Sequence, residues 1–208
     1  TTNIGDLMSL IIPANTLAAG GYDVANSCRF NSGSSDYLNR TPGSASNRKT
    51  FTFSFWFKRS KLSSFQRLLE AGADTSNRSY ITLDSDNKFE FTHKDSNVEV
   101  VNLTTTPLFR DVSAWYHFVI AVDTTQGTAS NRVKIYVNGT QITAFDTETY
   151  PNINLDFDFD STDPHYISRS TNTVNYVDGY LAETVFLDGT ANAVTDFGEF
   201  DEDSGIWK

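Results

Sequence analysis

The chain has one cysteine and one methionine among its 208 residues. A single cysteine, Cys28, excludes an intrachain disulfide framework and any zinc site built on cysteines. Basic residues are also few: 16 Lys and Arg stand against 26 Asp and Glu, a formal net charge of -10 at pH 7. A surface that acidic repels phosphate backbones, so nucleic acid is not an expected partner. No apolar run approaches the roughly 18 residues a transmembrane helix needs, so no membrane insertion is expected. Thr1 to Leu10 lack a basic stretch and do not read as a secretory leader. Good helical periodicity over ten residues is missing as well.

Aromatic and small polar residues are abundant. Phe (16), Tyr (9) and Trp (3) make up 13% of the chain, and 63 residues are Ser, Thr or Asn. Aromatic and β-branched side chains suit a pleated, half-buried surface. Ser and Asn favour turns and compete with helix hydrogen bonds. From Ser27 onward the apolar period is two. Phe51, Phe53, Phe55 and Phe57 alternate with Thr52, Ser54, Trp56 and Lys58, which places four rings on one strand face. In the most apolar stretch, 115–123, Tyr116, Phe118, Ile120 and Val122 face one way, with Trp115, His117, Val119 and Ala121 opposite, as in a central, covered strand. The turn at 84–87 joins a hairpin, and Asn138-Gly139 reads as a type I′ turn. About twelve strands are expected, and the Asp-Phe alternation at 156–160 and the run at 141–145 each look extended. The expected fold is all-β: an antiparallel two-sheet jelly-roll sandwich over 27–208, preceded by an irregular arm over 1–26. Loops 124–131 and 170–175 are polar and are expected to be exposed.

Four stretches together resemble the laminin-G/pentraxin-like branch of the concanavalin A-like lectin/glucanase superfamily: 53–58 (Phe-Ser-Phe-Trp-Phe-Lys), 115–119 (Trp-Tyr-His-Phe-Val), 134–139 (Lys-Ile-Tyr-Val-Asn-Gly) and 178–183 (Asp-Gly-Tyr-Leu-Ala-Glu). The resemblance implies that the second and third lie in adjacent strands and that the fourth is the last core strand. Further stretches at 27–31, 36–42, 47–50 and 197–203 are similar to lectin-like proteins of tailed bacteriophages, especially those of aquatic bacteria and cyanobacteria. The Thr-Ala-Asn-Ala-Val-Thr stretch at 190–195 departs from the Gln-Ala-Leu-Thr-Pro phrase usual there. This resemblance implies a non-enzymatic virion structural protein on the phage particle surface: a capsid decoration, tail fibre or appendage component. It would associate with other virion proteins, as a homo-oligomer such as a trimer, and adhere to host or environmental glycans. The arm would attach it, with Leu10, Ile11, Ile12 and Pro13 as the candidate contact. A stand-alone carbohydrate-binding receptor-recognition module is the alternative, and a glycoside hydrolase the third reading.

Glucanases of the superfamily carry a Glu-x-Asp-x-Glu strand, because retaining hydrolysis needs two carboxyls about 5 Å apart. The chain has no such strand, so no catalytic residue is assigned. Asp156, Asp158 and Asp160 are the nearest pattern, placed on one face of the expected strand. Hard cations take several carboxylate oxygens, so these three are the candidate Ca2+ ligands, with Asp84, Asp86 and Asp163 as possible additions. The competing reading is an acidic edge strand that blocks aggregation. Sugar binding uses aromatic faces for stacking, which makes Trp56, Tyr80, Tyr150, Tyr166 and Tyr176 the candidate ligand-binding residues. His117 is expected to be structural, and Trp207 to close the sandwich or anchor a neighbour.

Overall fold

The computed structural model describes residues 26–208. The candidate attachment residues Leu10 to Pro13 therefore lie outside the described residues. Thirteen strands follow in order: β1 (Cys28–Phe30), β2 (Leu38–Arg40), β3 (Thr50–Arg59), β4 (Gln66–Gly72), β5 (Arg78–Leu83), β6 (Lys88–Asp95), β7 (Val98–Leu108), β8 (Tyr116–Asp123), β9 (Val133–Val137), β10 (Thr140–Gln141), β11 (Phe145–Thr149), β12 (His165–Ile167) and β13 (Gly179–Asp188). They form a six-stranded sheet, β1-β13-β3-β8-β9-β10, and a seven-stranded sheet, β11-β7-β6-β5-β4-β12-β2. Every pairing is antiparallel. Helical structure among the described residues is limited to three-residue 3-10 turns, and no helix there is long and apolar enough to cross a membrane.

The alternation on β3 sets the core. Phe51, Phe53, Phe55 and Phe57 all point between the sheets and are buried. Phe118 on β8 stacks on Phe89 of β6, ring centres 4.5 Å apart, so this pair ties one sheet to the other. Burying each such ring contributes about 1.5–3 kcal/mol relative to exposure, an upper bound given a compact unfolded state. Arg59 continues the Phe face by one more step and is fully buried. Its Nη1 donates to the Phe109 carbonyl (2.6 Å) and its Nε to the Lys61 carbonyl (3.0 Å), which caps that end of the core.

Three expectations need correction. Residues 156–160 are not a strand. Phe157 N–H donates to the Arg48 carbonyl (3.0 Å), Asp158 N–H to Ser79 Oγ (2.8 Å), and Asp160 has a φ of 63°. The segment plugs Phe157 and Phe159 into the core, against Phe51 and Phe53. Burial of every second residue mimics a strand in the sequence, because a loop lying over an open sandwich edge obeys the same inside–outside rule. Second, the run at 141–145 breaks. β10 ends at Gln141 in the six-stranded sheet, and the chain crosses to begin β11 in the other. Third, the 170–175 loop is exposed over 172–174 only: Ser170 is fully buried and the Thr171 N–H donates to Glu70, so the loop bends over the seven-stranded sheet.

Candidate functional site

Odd positions of β3 and even positions of β8 serve the core, so their neighbours, Ser54, Trp56, His117 and Val119, project from the outer face of the six-stranded sheet. The β3–β8 register sets Trp56 opposite His117 and Ser54 opposite Val119. Above them lies a hairpin closed by reciprocal backbone bonds between Glu199 and Lys208 (both 2.9 Å) and a Phe200–Trp207 bridge. Asp201 fastens its turn, accepting from the Ser204 N–H (2.9 Å) and Lys208 Nζ (2.9 Å). Those donors hold the Asp201 carboxyl well below the usual carboxylate range. The hairpin lays Trp207 over the sheet, where it packs with Val119 and Val194 as a second small core. Gly139, at φ 76°, lies directly under this indole, and a side chain there would run into the ring.

Trp207 Nε1 donates to His117 Nδ1 (2.8 Å), and Ser54 Oγ lies 2.9 Å from His117 Nε2. An indole N–H only donates, so Nδ1 is the acceptor and the imidazole proton resides on Nε2. Nε2 therefore donates to Ser54 and takes no proton from it, so the pair is not an activated nucleophile. Burial pushes the His117 pKa down to about 4, so the ring is neutral near pH 7. Trp56 stacks on the same imidazole at 4.7 Å.

Between the hairpin and the sheet runs a groove of about 880 Å³. Trp56 and Trp115 supply aromatic surface, and Glu183, Asp196 and Glu199 supply carboxylates. Trp115 is 36% exposed and leans toward Tyr180, ring centres 6.4 Å apart. Flat apolar faces flanked by acceptors match a sugar ring, whose C–H face stacks while its hydroxyls donate. Of the five candidate aromatics, only Trp56 lines this groove. Trp115 was legible in the sequence only as a strand neighbour; a bulky aromatic just before the central strand was the available signal.

Tyr80 and Tyr166 lie instead on the outer face of the seven-stranded sheet, on either side of Glu70 in one cross-strand row. The Arg67 guanidinium covers the Tyr80 ring at 3.6 Å. Arg169 lies 4.3 Å from both Tyr166 and Tyr37, and Tyr37 in turn touches Tyr176. Tyr150 packs at the core margin with its hydroxyl on Glu148 (3.1 Å), and burial with that carboxylate pushes the phenol up to about 12. The structure thus gathers Tyr80, Tyr166 and Tyr176 on one face, Trp56 on the other, and leaves Tyr150 apart.

The three aspartates are not brought together. Asp158 is buried against Arg48 (3.5 Å) and His93 (3.3 Å). Asp160 is drawn toward Asp188, and its pKa is raised by burial and by that neighbouring charge. Asp163 accepts from Ser161 Oγ (3.0 Å), and Asp84 accepts from the Lys88 N–H (2.7 Å) within its turn. Among the described residues no group of three or more His, Cys, Asp or Glu is placed to hold a metal ion. Ser79, His93 and Asp158 do meet, yet Ser79 Oγ (2.9 Å) and Asp158 (3.3 Å) both approach the same nitrogen, Nδ1. A relay needs serine and aspartate on opposite ring nitrogens.

A two-sheet antiparallel sandwich with an aromatic groove on one outer face defines a lectin-type jelly roll. A family model described as Concanavalin A-like lectin/glucanases superfamily, of laminin G type, matches residues 32–194, and the chain belongs to that superfamily. Among solved structures, mouse laminin α1 chain domains LG4-5 superpose with a TM-score of 0.54 at 11% identity, covering 85% of this chain and 46% of that one. The CBM40 of the Ruminococcus gnavus IT-sialidase bound to α2,3-sialyllactose gives 0.51 at 14%, covering 77% and 95%. Domain 4 of AbnA, a GH43 extracellular arabinanase from Geobacillus stearothermophilus in complex with arabinotriose, gives 0.51 at 18%, covering 75% and 68%. At these identities the likeness is one of fold. A search of curated proteins finds no match to the chain.

Proposed function

We propose that the protein is a glycan-binding virion component of a tailed bacteriophage, non-enzymatic, with the groove between β3, β8 and the 199–208 hairpin as its sugar site. The observation that carries the binding role is the pairing of Trp56 and Trp115 with Glu183, Asp196 and Glu199 along one groove. Two structural neighbours of the same fold carry bound saccharides, sialyllactose and arabinotriose, which supports sugar as the ligand class. The virion role is supported by the sequence stretches at 27–31, 36–42, 47–50 and 197–203. Many copies on a particle convert weak single-site affinity into adhesion. Residues 10–13 are the proposed attachment contact, and homo-oligomerisation would follow particle symmetry.

A glycan array tests the binding role. The full chain binds at least one class of glycan, and Trp115→Ala lowers that affinity by about tenfold or more, the loss expected of a central aromatic contact. Binding unchanged in both Trp115→Ala and Trp56→Ala would remove the groove from consideration. Mass spectrometry of purified virions tests the particle role: stoichiometric recovery supports it, and absence refutes it.

A further inference from the structure

The groove between the six-stranded sheet and the 199–208 hairpin is lined by charge of mainly one sign. Glu183, Asp196 and Glu199 line it, and all three are exposed to solvent. Lys208 is the one Lys or Arg lining it among the described residues, and its ammonium is held by Asp201 of the hairpin (2.9 Å), with Glu199 at 3.6 Å. His117 adds no charge, since its ring is neutral near pH 7. Asp196 accepts from Asn192 Nδ2 (2.9 Å), a neutral amide that fixes the carboxylate without offsetting its charge. Asp196 and Glu199 stand on the segment leading into the hairpin, and Glu183 stands on β13 in the sheet. A bulge brings Glu183 to the groove. Leu181 lies opposite Phe57 and is buried in the core, so on a regular strand Glu183, two residues on, would face the core as well. Instead Ala182 pairs with Trp56 and Val185 with Ser54, three steps on β13 against two on β3, and Glu183 takes a φ of 46°. Bulges re-aim side chains in this way. The carboxylate thereby lines the same groove as Trp56.

We infer that the groove selects amino sugars with a free ammonium group over neutral and acidic saccharides, the tryptophans taking the ring face and the three carboxylates the ammonium. The inference rests on the sugar-site reading above and narrows it. An ammonium is attracted both to an indole face and to carboxylates, so both kinds of lining group favour it. A neutral sugar gains from stacking and ordinary hydrogen bonds alone. An acidic sugar meets three like charges and no uncommitted cation, in a chain whose net charge of -10 already repels anions. The volume of about 880 Å³ and the two indoles exceed what a lysine side chain would cover, which favours a saccharide over a basic peptide.

Calorimetric titration of the full chain compares chitotetraose with its fully deacetylated form, in mildly acidic buffer that charges the amines and leaves His117 neutral. The two oligomers share a backbone and differ only in acetylation. The deacetylated form is expected to bind about tenfold more tightly, and added salt to shrink that ratio. Glu183→Gln combined with Asp196→Asn is expected to narrow the ratio to about twofold or less, since both replacements keep the shape and remove the charge. Circular dichroism checks that the variant is folded. Equal or tighter binding of the acetylated oligomer or of sialyllactose, lost in Trp115→Ala, overturns this inference and leaves the sugar site standing. A ratio unchanged by the double substitution also overturns it, because the selectivity would then arise elsewhere. Tetralysine binding as tightly as the deacetylated oligomer would make the groove a general cation site and overturn the sugar assignment. No binding of any saccharide removes the sugar-site reading and this inference together.

Discussion

The two outer faces of the sandwich solve the same problem with opposite chemistry. A sheet whose inner face holds the core still has an outer face to cover. On the six-stranded sheet the cover is apolar: Trp207 and Val194 close over Val119, and His117 sits among indoles as a neutral ring. On the seven-stranded sheet the cover is ionic: buried Arg67 and Glu70 meet the half-buried Arg78, with Tyr80 beneath a guanidinium. Under the apolar cover both His117 nitrogens are engaged. The ionic cover leaves Arg67 Nη1, Arg78 Nε and Thr82 Oγ1 without a protein hydrogen-bond partner.

The largest test of this contrast removes the apolar cover. Trp207→Ala deletes the indole that closes the second core and strips His117 Nδ1 of its donor. A loss of about 3–5 kcal/mol is expected in urea unfolding, the range for a buried tryptophan. A loss below about 1 kcal/mol would mean the hairpin adds little to the sheet.

Next in size are two pH effects of opposite sign. The folded His117 pKa is about 4 against an ordinary 6.5, so between those values the unfolded chain binds the proton more readily. Stability from this group is complete above pH 6.5 and declines as the pH falls toward 4. The folded Glu90 pKa is about 7 against an ordinary 4.5, so the unfolded chain loses the proton first. Its burden is absent below pH 4.5, grows as pH rises, and is complete above 7. Each shift corresponds to about 1–3 kcal/mol after discounting for partial solvent screening. Urea midpoints measured from pH 4 to 8 should show Glu90→Gln gaining on the wild type as pH rises, and His117→Gln losing the acid-side decline. Parallel curves for all three proteins would contradict both.

The smallest effect separates binding from folding. Trp115 is partly exposed, so Trp115→Ala should lower stability by less than about 1 kcal/mol while weakening glycan binding. A large shift in melting temperature would show that Trp115 is a structural residue.

Much of the fold was legible because its core obeys a strict period of two. Phe51 to Phe57 and Tyr116 to Val122 state their inner faces outright, and Asn138-Gly139 states its turn, with φ values of 47° and 76°. The same rule misled at 156–160, where alternation marks a loop packed on an edge. The candidate sites were less readable. Trp56 and Tyr80 look alike as aromatic residues in strands, and only the pairing of strands puts them on opposite faces. Trp207 lies 90 residues from its partner His117. The stretch from Arg67 to Ala71 reads as a short strand, and no motif marks Arg67, Glu70 or Arg78; charges inside an otherwise apolar strand are the available signal. Their significance comes from β4–β5 register, which no local pattern expresses.

The pairing of β1 with β13, Cys28 opposite Leu181 and Phe30 opposite Gly179, bears on how the chain reaches this structure. Ser32 is also bound to Asp178 across the same long interval, by its backbone N–H at 2.9 Å. Such contacts close a loop of some 150 residues, so their entropic cost falls before any reward is collected. The six-stranded sheet therefore completes its edge late, and refolding is expected on the millisecond-to-second scale of all-β chains, with a half-zipped edge briefly open to pairing with other copies.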